Sequence, residues 1–126
     1  MNDSFMSSTS NGSVSPRCDG FYHARSESGD CTYMVRFYPD GEAITVSVAD
    51  GWTAASIMGW FDRRDPDMSK GPYVVLGTSI CFTSDCSYGR VDYAGFLDKG
   101  VLKISSLSQI NGNYEVGRIY AFARVS

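Results

Sequence analysis

The spacing of its turns constrains this chain most. From Asp19 onward, short alternating runs are broken by residues that favour corners: Ser28-Gly29-Asp30, Pro39-Asp40-Gly41, Gly77-Thr78, Asp85-Cys86-Ser87-Tyr88-Gly89, Asp98-Lys99-Gly100 and Asn111-Gly112-Asn113. Proline presets φ at such a corner, glycine accepts positive φ, and Asn-Gly suits a two-residue hairpin. The runs between them predict strands over 20–26, 32–38, 43–49, 72–76, 79–84, 90–96, 101–106 and 114–125. Parallel neighbours need a crossover of a dozen or more residues, so connections this short make sequential strands antiparallel. An eight-strand meander exposes two edges unless it curls shut. The fold expected is therefore all-β: an eight-stranded antiparallel up-and-down meander barrel, closed or nearly closed. A two-sheet sandwich is the rival, and the tight sequential turns disfavour its crossovers.

Period-two alternation assigns faces. Tyr33, Val35 and Phe37 share one face; Met34, Arg36 and Tyr38 share the other. Ile44, Val46 and Val48 form an apolar stripe against Thr45 and Ser47. Ile80 and Phe82 oppose Cys81, Val91 and Tyr93 oppose Arg90 and Asp92, and Leu102 and Ile104 point inward. Gly117, inside the longest run, suggests a bulge. Between the third and fourth strands the alternation stops. Thr53 can cap a short helix over 54–62, where Ile57, Trp60 and Phe61 make an i, i+3, i+4 stripe and Pro66 forbids continuation. This helix is expected over one end of the barrel, with Trp52 and Trp60 either anchoring it or closing the mouth.

At 126 residues the chain fits one domain. Residues 1–17, rich in serine, read as a disordered tail, and residues 18–126 as the barrel domain. The start has no basic n-region and no apolar h-region, and no apolar run reaches the ~20 residues of a membrane helix, so the expectation is a cytoplasmic protein with reduced thiols. A secreted or periplasmic protein with its signal peptide removed reads the same; Cys18–Cys31 and Cys81–Cys86 would then be local bridges. The net charge of −3 argues against a nucleic-acid surface.

The opening Gly20-Phe21-Tyr22, the late Arg124 and the eight meandering strands over residues 19–125 resemble a lipocalin-like (calycin) barrel. Val91-Asp92-Tyr93 resembles a second motif of that superfamily, and Phe37-Tyr38-Pro39-Asp40-Gly41 is similar to a turn in small uncharacterised bacterial proteins of lipocalin-like build. The resemblance implies a ring of Phe21 or Tyr22 packed on Arg124, sealing the barrel base, a contact of ~0.5–2 kcal/mol. It carries over no activity.

Catalytic chemistry finds little support. The single histidine, His23, needs an orienting carboxylate and a nucleophile, and the spacing joins it to neither Asp92 nor Cys81. No Cys-x-x-Cys or zinc-finger spacing occurs, so neither a metal nor a cofactor is expected. Most aspartates sit in turns, where they cap their own backbone. Arg36, Arg90 and Arg118 lie within strands; each is either a carboxylate or phosphate clamp or an outer-face partner of Tyr38 or Asp92. The aromatics are the best functional material. Tyr33, Phe37, Tyr73, Phe82, Tyr93 and Tyr120, with Phe122, can line one interior, and Trp60 can stand at its mouth. The residues therefore point to a non-enzymatic binder of a small apolar or aromatic ligand. The alternative is a filled barrel acting as a protein-interaction module, such as an inhibitor or immunity-type protein. No nucleic-acid or membrane partner is expected.

Overall fold

The alternating runs become eight strands paired in chain order: β1 (Gly20–Arg25), β2 (Cys31–Phe37), β3 (Glu42–Ala49), β4 (Ser69–Leu76), β5 (Ser79–Cys86), β6 (Gly89–Asp98), β7 (Val101–Ser108) and β8 (Tyr114–Arg124). The computed structural model describes residues 15–49, 51–57, 59, 61–65, 68–86, 89–98 and 100–124. Trp60, Pro66 and most of the serine-rich stretch, 1–14, lie outside them. Every neighbouring pair is antiparallel, and β8 returns to β1 from Gly20↔Arg124 to His23↔Ala121, closing the barrel. Closure gives every strand a neighbour on both sides, although β3 and β4 pair only from Glu42 to Thr45 and from Ser69 to Pro72. β4 begins three residues earlier than its alternation suggests, because Ser69 and Lys70 still pair with Thr45 and Ile44 on β3.

The described residues form two hydrophobic cores. The first lies inside the barrel: Tyr22, Val35, Phe37, Ile80, Phe82 and Leu97 are buried there, joined by Leu102, Ile104 and Tyr120. The second lies on the outside of β1–β3, where Phe21, Met34, Ile44 and Val48 are buried beneath Ile57 and Phe61. The Ile44-Val46-Val48 stripe thus faces away from the axis. Its register sets Ile44 beside Arg36 and Val46 beside Met34, both on the outer face, while Ala43 and Thr45 of β3 turn inward.

That outer stripe decides where the helix goes. α1 (Ala54–Ile57) is shorter than the expected 54–62, and it covers the flank of β1–β3 rather than an end. The reason is physical: the inner faces of β1–β3 already fill the barrel, and an apolar outer stripe must also leave water. Thr53 does cap the helix. The Ser56 N–H donates to Thr53 Oγ1 at 3.2 Å, and the Thr53 N–H donates back to Ser56 Oγ at 2.9 Å, a reciprocal box with serine in the usual Glu position. The rest of the β3–β4 connection is fastened at both ends. Trp52 Nε1–H donates to Thr32 Oγ1 (3.2 Å), and the Arg63 guanidinium lies 4.3 Å over the Tyr38 ring while donating to Glu42 (2.8 Å) and Asp40.

One end of the barrel is sealed. Pro16 is buried, the Arg17 N–H donates to the Tyr22 hydroxyl (3.0 Å), and the Arg17 guanidinium stacks 4.3 Å over Phe122. Pro16 and Arg17 therefore belong to the barrel rather than to a tail. The cation at this base is Arg17, not Arg124: the Arg124 guanidinium turns to Asp19 at 3.5 Å, and Phe21 faces the outer core. No disulfide joins Cys18, Cys31, Cys81 and Cys86.

Candidate ligand-binding cavity

From the sealed base an aromatic ladder climbs the axis. Phe122 meets Tyr22 at 5.0 Å, Tyr22 meets Phe37 at 5.7 Å, and Phe37 meets Phe82 at 5.3 Å, all edge to face. Tyr73 flanks Phe37 at 5.0 Å and donates its hydroxyl to the Tyr38 carbonyl at 2.7 Å. The ladder ends where Tyr93 stacks flat on Phe82, centroids 4.5 Å apart. Beyond it, toward the β1–β2, β5–β6 and β7–β8 connections, the barrel is hollow. A cavity opens there that, together with its extension through the β3–β4 seam, measures about 990 Å³. The question of a filled or a hollow barrel resolves by halves: packed at the base, open at the mouth.

The register explains how the expected site residues divide. Tyr33, Phe82, Tyr93 and Tyr120 line the cavity. Phe37 and Tyr73 do not; they sit nearer the β2–β3 turn, at the packed end, and support the floor. Trp60 lies outside the described residues. The cavity also reaches the β3–β4 seam, where only Glu42–Thr45 pair with Ser69–Pro72, and there Met34, Val46 and Met68 contribute to its wall.

The walls are more polar than an apolar-ligand expectation implies. Ser47, Ser69, Ser84, Ser106 and Ser108 point into the space, with Asn111 and Asn113 at the rim. The residues that sequence reading missed are Glu115 and the inward placement of Arg118. In an unbroken strand, residues three apart face opposite sides. Here the β7–β8 register shifts between Ile104 and Ser106, opposite Gly117, which takes φ +66° and donates its N–H to Ser105 Oγ at 3.1 Å. This bulge inserts one residue and turns Glu115 and Arg118 onto the same inner face. Gly117 was the one visible signal. Arg36 and Arg90 took the expected outer roles, Arg36 5.3 Å over Tyr38 and Arg90 3.2 Å from Asp92. Arg118 did not.

Arg118 is the hub of the site. Its guanidinium bonds Glu115 Oε1 at 2.5 Å and lies 4.4 Å over the Tyr33 ring. Its side chain is only 17% exposed. Burial works against its charge, and Glu115 more than offsets this, so its affinity for its proton rises. Burial pushes the Tyr120 phenol up to about 12, with the neighbouring Tyr93 adding to the shift. Burial also raises Tyr93, against hydrogen bonds from Ser84 and Thr45, and raises Tyr33. All three phenols are neutral hydrogen-bond donors at ordinary pH, not bases.

His23 lies on the outer face, between Phe21 and Trp52 at 5.9 and 5.5 Å. Asp92 is held by Arg90 and Gln109 instead. Among the described residues no group of three or more His, Cys, Asp or Glu side chains is placed to hold a metal, and no helix is long and apolar enough to cross a membrane. In comparisons with family models, curated proteins and solved structures, nothing matches this chain.

Proposed function

We propose that the protein binds a small molecule, without catalysis, in the open half of its barrel. One observation carries the reading: a cavity of about 990 Å³ floored by stacked Phe82 and Tyr93 and walled by phenols, serines and one arginine. A site for a drug-sized ligand typically measures ~300–1,000 Å³ and mixes aromatic surface with a few placed polar groups. The ligand this favours has a flat aromatic face for the floor and hydrogen-bonding substituents for the walls. Native mass spectrometry of protein purified gently from the cells that make it tests the reading. A retained small-molecule mass, lost when Ser106→Trp fills the cavity, supports it. An adduct that survives Ser106→Trp, or none at all, counts against it.

The second reading, a protein-interaction module, draws on a separate feature. Leu76 (74% exposed), Phe96 (58%) and Ile119 (61%) lie in one outer row across β4–β8, linked through Ser79 and Lys103. A co-purifying protein that Phe96→Asp releases, with the fold intact, would favour this reading.

A further inference from the structure

We infer that the cavity selects uncharged aromatic ligands over anionic ones, and that Glu115 sets this preference by occupying Arg118. The inference rests on the reading of the cavity as a ligand site and adds its charge selectivity.

Arg118 is the one cation among the described lining residues. A buried arginine in a pocket ordinarily marks a clamp for a carboxylate or phosphate. Here the clamp is already closed. Glu115 takes the guanidinium at 2.5 Å, and the Tyr33 ring covers one face at 4.4 Å. An incoming anion would have to break the Glu115 bond and then sit beside the carboxylate it displaced. Asp62 and Asp65, on the β3–β4 connection, also line the cavity, Asp62 being held by Arg64. Like charges held this close reject a partner as effectively as a lost contact does.

An uncharged ligand meets no such barrier. The remaining walls offer hydroxyls that both donate and accept, from Ser47, Ser84 and Ser106, and the floor offers a flat stacked ring pair. The Glu115–Arg118 pair then serves as a neutral polar wall. The device depends on the bulge, since without the extra residue at Gly117 the carboxylate would leave the inner face.

The test uses two fluorescent probes that share a fused aromatic body and differ in charge: N-phenyl-1-naphthylamine, uncharged, and 1-anilinonaphthalene-8-sulfonate, an anion. Each is titrated into the wild-type protein, Glu115→Gln, Glu115→Ala and Ser106→Trp. The wild type is expected to prefer the uncharged probe by about tenfold or more, the worth of one hydrogen bond to a charged group. Both Glu115 variants should shift that ratio about tenfold toward the sulfonate, since each frees the Arg118 guanidinium. A ratio unmoved in both variants, with Ser106→Trp still blocking both probes, overturns the charge selectivity and leaves the cavity as a ligand site. Probes that fail to bind, or that bind Ser106→Trp as well as wild type, overturn both.

Discussion

Gly117 is the residue on which the site geometry turns. It sits at φ +66°, in the left-handed region, opposite the register shift of β7 and β8. A Cβ there would lie 3.2 Å from Lys103 Cε, the mobile part of a flexible side chain, so crowding adds little. The cost of substitution is therefore conformational. An L-residue forced into this region loses ~1–2 kcal/mol, and a β-branched one loses more. Alanine recovers ~0.4–1 kcal/mol of that through a less flexible unfolded chain. The expected order of stability is Gly117, then Gly117→Asn, then Gly117→Ala at a net loss of ~1 kcal/mol, then Gly117→Val at ~2 kcal/mol. Urea unfolding resolves this easily, since an m-value of ~1–3 kcal/mol/M converts each step into a visible shift of the midpoint. Gly117→Ala as stable as wild type, or more stable, would refute the reasoning. The strand would then run without a bulge, and Glu115 and Arg118 would face opposite sides.

Further outcomes follow from the two cores and the buried phenols. Phe37→Ala removes the ring at the centre of the ladder, touching Tyr22, Tyr73 and Phe82; a loss of ~3–5 kcal/mol in urea unfolding is expected. Phe61→Ala should cost about as much in that assay if the outer core is cooperative with the barrel, and should speed amide exchange in residues 52–65 ahead of the strands. Alkaline pH should destabilise the fold between pH 10 and about 12. The Tyr120 pKa is raised to about 12 in the folded protein, so the folded state holds its proton longer; the stabilisation is full below pH 10 and is lost as pH climbs through 12. A shift of this size is worth ~3 kcal/mol, and Tyr120→Phe should flatten that part of a stability-against-pH curve measured by urea unfolding.

Much of the architecture was legible because turns and alternation are local properties. Pro39-Asp40-Gly41 and Asn111-Gly112-Asn113 marked corners by their own backbone chemistry, and the short spacing left no room for crossovers. Alternation separates two faces but does not say which one points at the axis. On β2 the aromatic face, Tyr33 and Phe37, went inward as expected. On β3 the more apolar face, Ile44, Val46 and Val48, went outward, because the connection carrying Ile57 and Phe61 supplied a second cover. That is a tertiary decision, invisible along the strand. The lining of the candidate cavity was half legible for a related reason. Tyr33, Phe82, Tyr93 and Tyr120 followed from parity, whereas Arg118 was unreadable as an inner residue without knowing that Gly117 adds one position to β8. The sealing cation was expected at Arg124, but the chain brought Arg17 across the base instead.

On the proposed reading the barrel interior, not its exposed outer row, receives the ligand. Mapping backbone and side-chain NMR shifts while titrating N-phenyl-1-naphthylamine tests it directly. The perturbed residues are expected to cluster at Tyr33, Tyr93, Ser106, Arg118 and Tyr120. Shifts confined to Leu76, Phe96 and Ile119, with the inner residues silent, would contradict it.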